Sequence, residues 1–314
     1  MRRDVYTQEH EDFRAMIRAF IESEVVPVYD KWFEDGIAPR DFYYKLGELG
    51  LFGIEIPTEY GGSGIDSYKF QAIITEECSR AAVSFGGSSV HIGLCLPYLK
   101  ELATEEQKQR WFPGMMSGET MFAIAMTEPG TGSDLAGMRT TAKPSGDGTH
   151  YVLNGSKTFI TGGRNADRVL VVCRTGTADA DDRRGGLSIL VVDNTSPGFT
   201  VGRTLEKIGL HAQDTVELSF SGVRVPVEDR LGEEGAAFGY LAHNLPQERL
   251  TIAVAAVAAA ARAVELATGY ANERRIFGAP LATFQNSKFV LAECATEVAA
   301  AQAMLDQALA AHDR

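Results

Sequence analysis

AMTEPGTGSD, residues 125–134, marks the point where the character of the chain changes. Upstream of it, apolar residues recur at helical spacing, and downstream they gather into short runs rich in Val, Ile, Phe and Thr. The segment itself carries Pro129, Gly130 and Gly132, which force a tight, exposed backbone. Thr127 and Ser133 place hydroxyls beside the N–H groups that such a turn leaves free. An ordinary polar turn has this composition. So does a loop that presents several donors to a planar heteroaromatic ligand.

Toward the amino terminus, Phe13, Met16, Ile17, Phe20, Ile21 and Val25 predict an amphipathic helix capped by Thr7 and ending near Pro27. Further helices are predicted at about 41–49, 66–80 and 104–112, the last opened by the capping-box spacing of Thr104 and Gln107. EYGGSG at 59–64 reads as a turn between them. Toward the carboxyl terminus, YVLNGSKTFI, RVLVVC, GLSILVVD, GFTVG and VELSF predict strands, with Asn154-Gly155 as a two-residue hairpin turn. From about 230 the pattern is helical again. The alanine-rich AVAAVAAAARAVELA predicts packed bundle helices, because small side chains let helix axes approach. The fold class is α+β, multidomain: a helical N-terminal domain over 1–120, a central β-barrel-like domain over 121–229 and a C-terminal helical bundle over 230–314. No βαβ alternation or GxGxxG supports a Rossmann dinucleotide site.

Composition narrows the function. The 314 residues are 45% hydrophobic, and 30 basic against 42 acidic residues leave a net charge of −12. That balance disfavours nucleic acid and anionic membranes. Arg183 and Arg184 are candidates for a local basic pair that meets an anionic ligand. Cys78, Cys95, Cys173 and Cys294 form no CxxC, and the six histidines show no HxH or HExxH, so no metal site or disulfide framework is expected. MRRDVYTQEH has no apolar signal core, and no stretch reaches transmembrane length without a charge or a break. A soluble, cytoplasmic protein in a reducing compartment is expected.

NLPQERLTIA, residues 244–253, poses the question of chemistry. Pro246 suits a first helical turn, and Glu248 would complement the dipole there. By local physics alone Glu248 is a helix-start charge.

The motifs taken together change that reading. MTEPGTGSD followed by NGSKTFITGG resembles the flavin-binding region of the acyl-CoA dehydrogenases, and EYGGSG, KIGLHAQDTVELSF, VRVPVEDRLG and ERRIFGAPLATFQ resemble further blocks of that family in the same order. The resemblance covers essentially the whole chain. It implies FAD contacts from Met126, Thr127, Gly132 and Ser133, and from Phe159, Ile160 and Thr161. Many relatives have tryptophan where this chain has Phe159. Arg274, Phe277 and Gln285 match residues that reach the FAD of a neighbouring subunit, so a homo-oligomer, usually a tetramer, is implied. Ser133, Arg184 and Gly185 match positions along the CoA portion of the substrate.

NLPQERLTIA resembles the long-chain type, which carries its catalytic base on a bundle helix immediately before an arginine. Glu248 becomes the catalytic base by that resemblance, with Arg249 as its neighbour on the substrate side. The implied activity is FAD-dependent α,β-dehydrogenation of an acyl-CoA thioester, with an electron-transferring flavoprotein as acceptor. An oxidase of the same fold and a non-catalytic assembly subunit are the alternatives. Members of the family continue through further bundle helices, whereas this sequence ends at AAHDR, so an incomplete bundle is expected.

Overall fold

The computed structural model describes residues 3–176 and 183–314. Helices α1 (Gln8–Phe20), α2 (Tyr29–Asp35), α3 (Arg40–Glu48), α4 (Lys69–Ala81), α5 (Ser88–Val90), α6 (Leu96–Leu102) and α7 (Glu105–Ser117) come first. Strands β1 (Phe122–Ala125), β2 (Thr141–Pro144), β3 (His150–Thr161), β4 (Arg168–Arg174), β5 (Leu187–Asp193), β6 (Phe199–Thr204), β7 (Thr215–Pro226) and β8 (Arg230–Leu231) follow. The chain closes with α8 (Ala237–Glu273), the short strands β9 (Arg275–Ile276) and β10 (Ala279–Pro280), and α9 (Gln285–His312). The order helical, β, helical is the mixed α+β class that the residue patterns predict.

Contacts gather the chain into two compact units. One comprises the amino-terminal residues up to Tyr29, Ser67–Ser84 and Gln247–Arg314; the other comprises Asp30–Asp66 and Phe85–Pro246.

In the first unit, Tyr6, Ala72, Ile73, Val254, Leu305 and Leu309 form the core. Thr7 caps α1, its N–H donating to His10 Nδ1 at 3.2 Å. Regular helix ends at Phe20, but the chain does not stop there: it continues as a π-turn over Ile21–Val25 and a 3₁₀ turn over Val26–Val28. Pro27 fits this first 3₁₀ turn, where its missing N–H costs little.

The expectation that a helix starts at Pro246 is corrected, because α8 runs unbroken from Ala237 with Pro246 inside it. Ala237 and Leu241 are buried in an apolar core, and that burial draws the helix upstream of the proline. By length and apolar composition α8 also passes for a membrane-crossing helix. Within it, however, Arg262 and Glu265 form an ion pair at 2.9 Å.

The second unit is built on one sheet with strand order β6-β7-β3-β2-β4-β5-β8, to which β1 adds by parallel pairing with β4. Both faces of β4 and β5 are covered, so these strands read as continuous apolar runs rather than alternating ones. Leu170, Val172, Ile189 and Val191 face Leu99, Trp111, Phe112 and Met115 of the helices. Val169, Val171, Leu190 and Val192 face the other way, where they meet Leu153, Val216, Leu218 and Val223 of β3 and β7. The sheet therefore folds over an interior of its own, in the barrel-like manner expected.

Two devices fix this sheet to the helices around it. Thr104 Oγ1 accepts from the Gln107 N–H at 3.3 Å while Gln107 Oε1 accepts from the Thr104 N–H at 2.9 Å, completing the predicted capping box. Gln107 Nε2 then donates to the carbonyls of Glu228 and Arg230 at 2.8 and 2.9 Å, which holds α7 against β8. His91 is wholly buried; its Nδ1 accepts from the Phe122 N–H at 2.9 Å, which leaves Nε2–H to donate to the Met115 carbonyl at 3.1 Å. Burial lowers its pKa to about 4, so the ring is neutral at physiological pH and acts as a strut between α7 and β1.

Candidate active site

Strand β1 delivers the chain directly into the 125–134 loop, and β3 runs beside it. The expected Asn154-Gly155 hairpin does not occur, because both residues lie inside β3. Leu153 faces Val223 and Gly155 faces Phe220, so Ser221 and Gly222 of β7 together stand opposite Asn154. This is a β-bulge with the extra residue on β7. Asn154 Oδ1 accepts from the Gly222 N–H at 2.8 Å and ties the bulge shut. Gly155 has φ +149°, and a Cβ there would lie 2.5 Å from Thr140 Oγ1 and 2.8 Å from Thr140 Cα. Glycine is needed for close approach to β2, not for a turn.

A second bulge follows on β3 itself. Lys157 faces Leu218 and Ile160 faces Val216, so Thr158 and Phe159 share one partner position. Phe159 takes φ +60°, a region that costs a bulky residue energy and persists only when its surroundings impose it. The result breaks the alternation of the strand: Lys157, Thr158 and Ile160 are buried, while Phe159 is 67% exposed. An aromatic face is thus held out of the sheet where a regular ladder would have buried it or set it among polar neighbours.

The 125–134 loop is clamped to this bulge. Lys157, with its side chain 0% exposed, donates from Nζ to the Met126 carbonyl at 2.8 Å and to Glu128 Oε1 at 3.0 Å. Glu128 also accepts from the N–H groups of Arg139 and Thr140 at 2.7 and 2.9 Å. The Thr158 N–H donates to the Thr127 carbonyl at 2.9 Å. Burial lowers the Lys157 ammonium to about pKa 8 against the pull of Glu128. The Glu128 carboxyl lies below its ordinary range: burial opposes this, but Thr140 and Lys157 outweigh it.

Within this frame the expected flavin contacts of the second unit come together. Met126 and Thr127 are half-buried, and Gly132 and Ser133 are exposed. A Cβ built on Gly130 or Gly132 would meet no atom within 4 Å, so the loop backbone opens onto free space. Ile160 differs from the rest: its side chain belongs to the sheet interior, and only its backbone is left for a ligand. Thr161 Oγ1 lies 3.2 Å from Thr215 Oγ1. An exposed aromatic ring, open glycine backbone and a rigid loop in one place fit a flat heteroaromatic group. Arg184 stacks its guanidinium 5.2 Å from the Phe238 ring. Gly185 is half-buried beside it.

The remaining expected residues belong to the first unit. Glu248 is half-buried and Arg249 exposed, both inside α8. Arg274 and Gln285 are exposed, and Phe277 is 95% exposed. Phe277 and Gly278 form the two-residue connection between β9 and β10, with φ of +48° and +80°. This two-residue turn was not expected from the residues. Sequence reasoning missed Lys157 and Glu128 as partners. The available signal was a lysine at an inward strand position and an acidic residue in a glycine loop, each of which needs a counter-charge when buried.

Comparison with known proteins identifies the family. The acyl-CoA dehydrogenase N-terminal, middle and C-terminal domain models match residues 7–119, 123–223 and 236–314. The long-chain specific acyl-CoA dehydrogenase, mitochondrial, of Sus scrofa is 42% identical over 311 residues, covering 99% of this chain and 71% of its own length. The crystal structure of acyl-CoA dehydrogenase from Geobacillus kaustophilus superposes with a TM-score of 0.95 at 44% identity, over 99% of this chain and 81% of that one. That of acyl-CoA dehydrogenase complexed with FAD from Bacillus anthracis has a TM-score of 0.87 at 31% identity, over 98% of this chain and 53% of that one. With three domain models matching in order and a fold shared almost end to end, the chain belongs to the acyl-CoA dehydrogenase family.

Proposed function

We propose that this protein is an FAD-dependent dehydrogenase that takes an acyl-CoA thioester to its trans-2-enoyl-CoA, with Glu248 removing the α-proton. The observation that carries the reading is the bulge that turns Phe159 out beside a clamped, glycine-opened loop, in a chain 42% identical to a long-chain enzyme. FAD, when bound, supplies the acceptor for the β-hydride. The protein's own part is to hold the ring and to manage one proton. Phe159 and the backbone around Gly132 provide the flat surface, and Thr127, Ser133 and Thr161 provide hydroxyls toward its polar edge. Lys157 and Glu128 keep that surface rigid, so donors need no rearrangement as charge develops.

The α-hydrogen of a thioester is weakly acidic and calls for a carboxylate whose pKa is drawn upward. Glu248, already half-buried, is suited to this, because a bound acyl chain would strip its remaining water. Arg249 serves the neighbouring substrate surface, and Ser133, Arg184 and Gly185 meet the CoA portion. Arg274, Phe277 and Gln285 reach the FAD of a neighbouring copy in a homotetramer, which accounts for a phenylalanine left 95% exposed at a turn. The electron acceptor is an electron-transferring flavoprotein, and the four free thiols suit a reducing cytoplasm.

The test is Glu248→Gln in the FAD-loaded protein. Flavin content should hold, while anaerobic flavin reduction by acyl-CoA slows by about 10²–10⁴-fold, the usual worth of a positioned base. Reduction at the parent rate overturns the assignment. Peroxide in place of acceptor-dye reduction during turnover overturns the dehydrogenase reading in favour of an oxidase.

A further inference from the structure

Arg174 ends β4, and its N–H donates to the Thr140 carbonyl at 2.8 Å, so its Cα is fixed by the sheet. Its guanidinium reaches three main-chain carbonyls in two different segments. Nη1 donates to Gly185 O at 2.9 Å, and Nη2 donates to Ala136 O at 3.0 Å and to Arg183 O at 3.3 Å. Ala136 belongs to the 3₁₀ turn Leu135–Gly137, which directly follows Ser133 and Asp134. Arg183 and Gly185 flank Arg184 on either side. One half-buried fork therefore joins the end of the flavin loop to the segment that carries Arg184, and grips the backbone immediately before and after that residue.

A second link across the same gap, among the described residues, is weaker. Arg183 pairs with Asp134 at 2.9 Å, but the two side chains are 59% and 64% exposed, where an ion pair contributes little. Arg184 itself is exposed and rests on Phe238, a contact that fixes the ring-facing side of the guanidinium but not the main chain. Arg174 thus holds the main chain on both sides of Arg184, at Arg183 and at Gly185. A lysine could keep the charge at 174 but not span three acceptors, because its ammonium is a point and not a planar fork.

We propose that Arg174 is a positioning residue for recognition of the nucleotide end of the CoA substrate: it touches no ligand, and sets the Ser133–Gly137 and Arg183–Gly185 segments at the separation that an adenosine phosphate requires. This rests on the reading that Ser133, Arg184 and Gly185 meet CoA. It deepens that reading by naming what holds them.

The experiment measures the calorimetric Kd for free CoA in FAD-loaded parent, Arg174→Lys, Arg174→Met and Arg184→Ala proteins, together with amide exchange over 134–137 and 183–186. Steady-state turnover is then compared for an acyl-CoA and the matching acyl-N-acetylcysteamine thioester, which lacks the nucleotide. Both Arg174 variants should raise the CoA Kd and the acyl-CoA KM by about tenfold, the effect of losing roughly 1.4 kcal/mol. Their kcat, flavin content and KM for the truncated thioester should stay near parent, and exchange should quicken in both segments. An unchanged Kd in both Arg174 variants, or an equal loss on the truncated thioester and in flavin content, overturns the proposal. Arg184→Ala separates the two failures. If it leaves Kd unchanged, the reading that this segment meets CoA is wrong; if it raises Kd while the Arg174 variants do not, only the positioning role is wrong.

Discussion

Glu128 and Glu77 are both buried carboxylates paired with cations, and they represent opposite solutions to the same problem. Glu128 has one cationic partner, Lys157, and both side chains are sealed from water at 6% and 0% exposure. Glu77 accepts from Arg14, Arg18 and Arg80 at 3.1, 2.8 and 2.9 Å, and two of those arginines remain 43% and 33% exposed. In the first pair, desolvation acts on both groups; it outweighs the pull of Glu128 at the lysine and lowers the lysine pKa to about 8, whereas at Glu128 the hydrogen bonds and the lysine charge outweigh it. In the second, burial raises the carboxyl, but hydrogen bonds from Arg18, Arg80 and Arg14 outweigh it and hold Glu77 at about 2. A buried charge is secure when several partly hydrated partners share it. It is costly when one equally buried partner must serve alone, and that arrangement persists where it fixes a geometry. Here the fixed geometry is the loop beside Phe159.

The largest expected effect comes from breaking the isolated pair. Lys157→Met leaves Glu128 charged with donors from Arg139 and Thr140 but no cation, and strips the Met126 carbonyl of its Lys157 donor, so urea unfolding should show a loss of about 3–5 kcal/mol. Flavin absorbance should fall with it, since the loop loses its clamp. A change under about 1 kcal/mol would remove the contrast between the two sites.

Titration sharpens the contrast through its sign. Lys157 is lowered from 10.5 to about 8, so the unfolded chain binds more protons between those values, and stability should climb as pH rises through that window. Glu77 is lowered from 4.5 to about 2, so its contribution is complete above the upper value and is lost as pH falls toward the lower one. Unfolding free energies measured against pH should lose the alkaline slope in Lys157→Met and much of the acid slope in Glu77→Gln. Slopes that survive in both variants would assign the linkage to other groups. The smallest effect belongs to Arg18→Ala, which removes one of three partners at a half-hydrated site and should cost under about 1 kcal/mol in the same unfolding assay.

The same two units show which features were legible in the residues. The capping box at Thr104 was readable because its partners are three residues apart. The change from helix to sheet at 125 was readable because periodicity changes there. The clamp was not, since Lys157 and Glu128 are 29 residues apart and meet only once the loop that follows β1 lies against the bulge in β3. The one hairpin-turn reading failed, and the turn that does form was not read. Asn154-Gly155 has the composition of a hairpin turn, but its glycine answers to Thr140, the residue just before β2. Phe277-Gly278 lacks an Asn or Asp, yet it makes the turn, because Ile276 pairs with Ala279 across it. Pro246 misled for the same reason: a local start signal lost to the burial of Ala237 and Leu241 upstream. Among the expected site residues, only their approximate segments could be read from the chain; which face each presents depends on register.

The two bulges between β3 and β7 have opposite senses, one extra residue on β7 near Gly222 and one on β3 near Phe159. They act as a frameshift and its suppressor. His150 faces Pro226 and Thr161 faces Thr215 in a common frame, and only the window around Gly155–Lys157 is read one residue out of phase. The sheet can therefore carry a local defect without passing it on to the β2 edge or to the turn that follows Thr161. Deleting a residue at either bulge alone would throw one end of the pair out of phase and turn apolar side chains from the interior to the surface. Deleting one at each would restore an unbroken ladder and remove the outward phenylalanine. The outward position of residue 159 is thus a property of the phase difference between two strands, set by the count of residues in each.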